Sequence, residues 1–448
     1  MPEMTDTWTP VLPADRAEVA VAVARDVAER LRHPETVKTA VAAVAQQTAS
    51  PETAGWQPHG LSQGDAGLAL MCAYLDACFP DEGWDATGHQ YLALAGTGVQ
   101  QATRLFMSLF GGLSGFAFAI WSLSRGGSRY QKMLKSIEDV LLRETVTLAE
   151  GLARQQPGMA VGQFDLIFGL GGIGAYLLCR QEDDAAVAAL HAVLRSMVTI
   201  TVEEQGLPRW HTPPHLMPTE AAAEQYPNGY LNCGLAHGIP GPLTLMALAL
   251  AAGLDVPGLA DAIERSALWL VKQRADDQWG ANWPTAAPLE PTLTPNGAVP
   301  RLQPSRSAWC YGSPGVARAL WLAGTSLDQP GLCEQAVEAM AAVYRRPLHV
   351  RYIDSPTFCH GIAGLLQITL RFAHDTGLPL FTGAARTLSE QLLGLYEPGT
   401  TLGYRNLELD GQRVDQPGLL EGTPGVALVL LATATDVEPT WDRVFLLS

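Results

Sequence analysis

The hydrophobic pattern of this chain repeats on a scale far longer than a helical turn. Seven times a Gly-x-x-Gly element opens an apolar run: Gly64 and Gly67 before residues 68–75, Gly112 and Gly115 before 116–121, Gly171 and Gly174 before 175–178, Gly238 and Gly241 before 242–250, Gly312 and Gly315 before 316–323, Gly361 and Gly364 before 365–370, and Gly422 and Gly425 before 426–432. One such element means little in a chain of 448 residues with 44 glycines, but seven that each open an apolar helix are a repeat. Between them lie segments whose apolar positions recur with helical period while the other positions are polar: 16–31, 130–154, 185–204, 259–274 and 331–345.

A helix apolar on all sides must be buried, and an amphipathic one covers it from the solvent side. Seven alternating pairs therefore predict an all-α fold, an α/α toroid of seven inner and seven outer helices. The spacing between successive elements varies from 48 to 74 residues, too irregular for an open solenoid of identical units, and no polar end cap is evident. The repeat overrides the length prior of about 150 residues per domain. Residues 16–448 read as one toroid domain after a flexible tail, 1–15. Two proline-rich connections, 206–232 and 282–305, read as appended loops over one end of the ring, in the position of substrate-contacting segments.

If all inner helices point the same way, the residues just before each Gly-x-x-Gly meet at one mouth. The first two repeats place Gln63 and Gly111 there; the others bring Asp165, then Cys233 and His237, then Arg306, Cys310 and Tyr311, then Cys359 and His360, then Glu421. Two thiolates and an imidazole, Cys310, Cys359 and His360, suit zinc and leave its fourth tetrahedral position open, the mark of a catalytic site. Their spacing is not that of a zinc finger; what selects them is their position within the repeat. His237 shares the repeat position of His360. Asp165 is placed to orient its imidazole, and Arg306 or Tyr311 to hold an anionic intermediate. Cys72, Cys78, Cys179 and Cys333 lie in or beside apolar helical patterns and read as core residues, and Cys233 as packing.

Composition narrows the partners. The chain is 47% hydrophobic and 17% charged, enough to bury a large core, and its net charge of −16 would repel a phosphate backbone, which excludes nucleic acid as a natural partner. Seven cysteines, an odd number in a long chain, argue for a reducing, cytoplasmic setting. The N-terminal residues lack the basic and apolar regions of a signal peptide, and no apolar run reaches the length of a transmembrane segment.

Five strings carry a family resemblance: GLAHGIPG at 234–241, SAWCYGSPG at 307–315, FCHGIAG at 358–364, DLIFGLGGIG at 165–174 and EGTPG at 421–425. In this order and over this span the chain resembles the lanthionine synthetase C-like proteins. The resemblance implies a seven-fold α/α toroid with zinc on Cys310, Cys359 and His360, and further active-site positions at Asp165, His237, Arg306 and Tyr311. It also implies the activity of the stand-alone cyclases, which add cysteine thiols of a dehydrated precursor peptide to dehydroalanine or dehydrobutyrine, closing thioether rings. With no long dehydratase or kinase-like region preceding the motifs, a separate dehydratase is the expected partner.

Four other readings stay open at this point. A zinc hydrolase would use the open position for hydroxide. A protein prenyltransferase β-type toroid needs an Asp, Cys and His zinc set and a basic diphosphate pocket, and no basic cluster lies near these motifs. A relative of the same family that adds glutathione to dehydroamino acids could use the same site. A peptide-binding scaffold would keep the toroid without the chemistry, against which the full set of site residues argues.

Overall fold

A computed structural model describes residues 7–48, 55–290, 305–408 and 411–448. Among them are seventeen α-helices, in chain order α1 (Ala14–Arg30), α2 (Pro34–Gln47), α3 (Asp65–Cys78), α4 (Trp84–Gln101), α5 (Leu113–Ser122), α6 (Gln131–Arg154), α7 (Leu170–Leu177), α8 (Asp184–Ile200), α9 (Glu220–Gln225), α10 (Pro240–Ala251), α11 (Leu259–Lys272), α12 (Ser313–Ser326), α13 (Pro330–Arg345), α14 (Leu348–Arg351), α15 (Ile362–Thr376), α16 (Pro379–Gly394) and α17 (Thr423–Ala434). The strands are three short antiparallel pairs: β1 (Glu203–Glu204) with β2 (Leu207–Pro208), β3 (Tyr230–Asn232) with β4 (Ala286–Pro288), and β5 (Asn406–Leu407) with β6 (Arg413–Val414).

All seven apolar runs are helices: α3, α5, α7, α10, α12, α15 and α17. Helix α17 is buried from Thr423 through Thr433, as an apolar surface on every side requires. The amphipathic segments are α1, α6, α8, α11 and α13, joined by α4 and α16. In α11 the buried positions Leu259, Ala262, Ile263, Ser266, Ala267 and Leu270 follow the i, i+3, i+4 spacing of one helical face.

The chain divides into two compact units, Met1–Glu138 with Tyr352–Arg443 and Leu447–Ser448, and Asp139–Arg351 with Val444–Leu446. In the first unit the inner helices neighbour one another in the order α15, α17, α3, α5, and α16, α1 and α4 cover α15, α17 and α3. The last two repeats therefore pack against the first two, with the N-terminal helix as the outer partner of the C-terminal inner one. In the second unit α7, α10 and α12 are neighbours, covered by α8, α11 and α13. Apart from α17, each inner helix so covered takes the outer helix that follows it.

One expected boundary is changed. The stretch read as a flexible tail is anchored from Trp8 onward: the buried indole donates to the Ala432 carbonyl (2.9 Å) and stacks on His374 with ring centroids 5.3 Å apart, and the Val11 N–H donates to Thr433 O (3.0 Å). One tryptophan in a polar segment suffices, because burying so large a side chain outweighs the ordering of a few residues. The two proline-rich connections pair with each other through β3 and β4, Tyr230 opposite Pro288 and Asn232 opposite Ala286; residues 291–304 of the second lie outside the described residues.

The glycines are required by the way each loop folds beneath its own helix. A Cβ on Gly112, Gly238, Gly361 or Gly422 would stand 2.2 to 2.3 Å from the carbonyl oxygen six residues earlier, and on Gly312, whose φ is +92°, it would stand 1.7 Å from Arg306 O. Substituting Gly312 with alanine is expected to cost about 3 kcal/mol through left-handed strain and steric clash. A urea titration of Gly312→Ala should show that loss as a lowered midpoint at unchanged slope.

Candidate active site and metal centre

The residues just before the inner helices form hydrogen-bonded runs of backbone, two places before the first glycine in six repeats and, in the third, at Leu166, three places before Gly169. In the first unit the Cys359 N–H donates to Leu420 O (3.0 Å), Leu420 N–H to Ser62 O (3.3 Å) and Ser62 N–H to Phe110 O (3.0 Å). In the second, Leu166 N–H donates to Ala236 O (3.2 Å) and Ala236 N–H to Cys310 O (3.3 Å). These bonds bring the next residue of each repeat side by side, which puts His360 beside Glu421 in one unit and His237 beside Tyr311 in the other.

In the second unit Asp165 is wholly buried. Its Oδ1 accepts the N–H groups of Phe168 (2.7 Å) and Gly169 (2.8 Å), so the carboxylate closes the turn that leads into α7. Its Oδ2 lies 2.6 Å from His237 Nδ1. A carboxylate only accepts, so Nδ1 carries the hydrogen and Nε2 is the nitrogen left for proton transfer. The imidazole is partly open to solvent and lies between two rings, Phe168 stacked at 6.0 Å and Tyr311 tilted at 6.3 Å between centroids. The sequence pattern placed the third glycine pair at Gly171 and Gly174; both lie inside α7, whose N-cap is Gly169. The Asp165 turn starts this helix early.

Tyr311 accepts a hydrogen bond at its hydroxyl from Asn232 Nδ2 (3.3 Å), and burial pushes its phenol well above the usual range, so it stays protonated. Gly234 admits the ring: a Cβ there would stand 2.4 Å from Tyr311 Cε1. Cys310, one residue before Tyr311, is buried. Arg306 is half-buried, and its carbonyl is the one pressed against Gly312. Asp165, His237 and Tyr311 are thus brought together. Phe168 and Asn232 were not singled out from sequence, although Phe168 lies inside the DLIFGLGGIG string.

In the first unit the ligand atoms of Cys359, His360 and Glu421 all lie within 4.8 Å of one another, each residue half-buried. A thiol, an imidazole and a carboxylate this close form a group that could hold a metal ion, and the sulfur and nitrogen donors suit a borderline-soft one such as zinc. Burial raises the Glu421 carboxyl, with the nearby charge of Glu408 adding to it. The sequence placed Glu421 beside the seventh turn without giving it a role; its neighbourhood with His360 follows from the bond between Cys359 and Leu420.

The motif strings that resemble the lanthionine synthetase C-like proteins surround both of these groups. The model of that family matches residues 55–446, and the chain belongs to it. Among individual relatives, the chain is 26% identical over 398 residues to the nisin biosynthesis protein NisC of Lactococcus lactis subsp. lactis, covering 86% of this chain and 88% of that protein. Its structure matches a solved nisin cyclase with a TM-score of 0.74 at 23% identity, covering 92% of this chain and 97% of that one. That likeness shows the fold class read from the repeats, an α/α toroid. Among the described residues no helix is long and apolar enough to cross a membrane.

Proposed function

We infer that this chain is a lanthipeptide cyclase: it adds cysteine thiols of a dehydrated precursor peptide to dehydroalanine or dehydrobutyrine and closes (methyl)lanthionine rings. Family membership supports the reaction class. What carries it in this chain is that both functions are present, a thiol–imidazole group able to bind a metal in one unit and a histidine held at Nδ1 by a buried carboxylate in the other.

The ligand set proposed for the metal is Cys310, Cys359 and His360, with zinc as the ion. Cys310 and Cys359 occupy the same position in their repeats, two residues before the first glycine. Bound there, zinc would lower the pKa of an incoming peptide thiol, which at neutral pH is otherwise only a few per cent ionised. Two protein thiolates leave the site electron-rich, which suits activation of a sulfur nucleophile better than hydrolysis.

Attack of the thiolate on the β-carbon of the dehydro residue leaves an enolate, which takes up a proton at its α-carbon. His237 is proposed to supply that proton from Nε2, with Asp165 holding Nδ1, and Tyr311 and Arg306 to stabilise the enolate oxygen by donated hydrogen bonds. A dehydratase acting before this enzyme is the proposed source of the dehydro residues. Seven cysteines, an odd number spread over a long chain, fit a reducing cytoplasm.

Glutathione addition by the same site is the nearest rival, and a competition separates the two. A dehydrated peptide retaining its cysteine should be consumed at the same rate with or without millimolar glutathione. A matched peptide with serine in place of that cysteine should gain no glutathione adduct. Adducts on the serine peptide at the rate of ring closure would favour the rival.

A further inference from the structure

We propose that Asn232 is a positioning residue that aims the Tyr311 hydroxyl hydrogen at the reacting peptide by donating its own N–H to the phenol oxygen. The proposal rests on the cyclase reading above and concerns a residue that neither repeat nor motif reasoning assigned. Asn232 ends β3, opposite Ala286, and is 5% exposed. Its Oδ1 accepts the Gly234 N–H at 2.9 Å. That bond settles which end of the amide is which, since oxygen must face a backbone donor, and so Nδ2 faces the Tyr311 hydroxyl at 3.3 Å.

An amide nitrogen can only donate. The phenol oxygen must therefore accept from Asn232, which leaves its single hydrogen unspent on that amide. Had the pair been Tyr and Asp, the phenol would spend that hydrogen on the carboxylate and have none for a substrate oxygen. The loop is built around the contact: Gly234 lacks the Cβ that would strike the Tyr311 ring, and a Cβ on Gly238 would lie 2.2 Å from the Asn232 carbonyl. Both glycines belong to the loop carrying His237, whose ring lies 6.3 Å from that of Tyr311. Asn232 thus sets one donor of the site as Asp165 sets the other.

Asn232→Asp is the decisive variant, because it keeps size and the acceptor for Gly234 while turning the donor facing Tyr311 into an acceptor. Its kcat for ring closure should fall about 100-fold with KM within about twofold of wild type, as for loss of a donor to a developing oxyanion. Asn232→Ala, which only releases the hydroxyl, should lose about tenfold. In a Tyr311→Phe background both substitutions should be nearly silent. Zinc content and thermal midpoint, measured on each variant, show whether the fold is kept.

A second readout needs no turnover: in protein labelled with ¹³Cζ-tyrosine, the Tyr311 resonance should move downfield in Asn232→Asp as the phenol begins to donate inward. An unmoved resonance, a wild-type kcat for Asn232→Asp, or a further tenfold loss from Asn232→Ala in the Tyr311→Phe background would overturn the proposal. Failure of the wild-type protein to close any ring would instead sink the cyclase reading, leaving the resonance to decide the orientation of the hydroxyl.

Discussion

Cys359→Ala and His360→Ala are expected to purify without zinc and to close rings about 10³-fold more slowly than wild type. The size follows from two losses. A free thiol with a pKa near 8.5 is about 3% ionised at neutral pH, so losing metal-assisted ionisation costs roughly 30-fold. Losing a fixed place for the sulfur near the dehydro residue costs at least as much again, since held reactants gain effective molarities far above any free concentration. Raising the pH should recover the first part and not the second. Glu421→Gln is the informative companion: its carboxylate lies within the same 4.8 Å group, yet the proposed ligand set does not include it, so this variant should keep its zinc. Metal analysis by mass spectrometry reads both outcomes, and a Glu421→Gln protein without metal would replace Cys310 by Glu421 in the ligand set.

His237→Ala should lower kcat about 10³-fold while leaving zinc content and KM near wild type, within the range general acid catalysis commonly supplies. Asp165→Asn should cost about 10²-fold. The amide oxygen can still accept from Phe168 and Gly169, which lie 2.7 and 2.8 Å from Oδ1, so the turn into α7 survives; only the partner of His237 Nδ1 changes, from an acceptor to a donor. That change turns the ring to the tautomer with its hydrogen on Nε2 and Nδ1 as acceptor, and removes the carboxylate charge that would stabilise the imidazolium. Because the two residues act as one unit, the double variant should be no slower than His237→Ala alone. Steady-state kinetics of the four proteins measures this directly, and additive losses would mean that Asp165 serves the reaction by another route.

The fold was legible because its signal is long and redundant. Seven glycine-opened apolar runs and five amphipathic segments each stated the same two-layer rule, so no single ambiguous stretch mattered. Register was less legible where local chemistry intervened. In the third repeat the Asp165 carboxylate caps a turn at Gly169, and the helix starts before the pair of glycines that the pattern selected. Trp8 could not be placed by period or composition, because a lone aromatic in a polar segment reads the same whether it finds a slot or not.

The site divides along the same line. His237 and His360 were visible as reactive types at one shared repeat position, with Cys359 beside the second and Asp165 a few residues upstream of the third turn, and the hydrogen-bonded runs before the inner helices explain why equivalent positions become neighbours. Asn232 was hidden in a proline-rich connection, and its role depends on a strand pairing between two segments far apart in sequence. Glu421 was visible as a residue, but its place beside His360 depends on one backbone bond between repeats six and seven, which no residue type reports.

The measurement that bears most directly on the central claim is a thiol count. The zinc-loaded protein is incubated with a dehydrated, cysteine-containing precursor peptide, the remaining thiols are alkylated, and the peptide mass is read. Ring closure itself leaves the mass unchanged, so protection from alkylation is the signal. The account predicts peptide that takes up progressively fewer alkyl groups with time, with no such change for the His237→Ala or Cys359→Ala proteins over the same period. Full alkylation of every peptide cysteine after prolonged incubation with wild-type enzyme would contradict it.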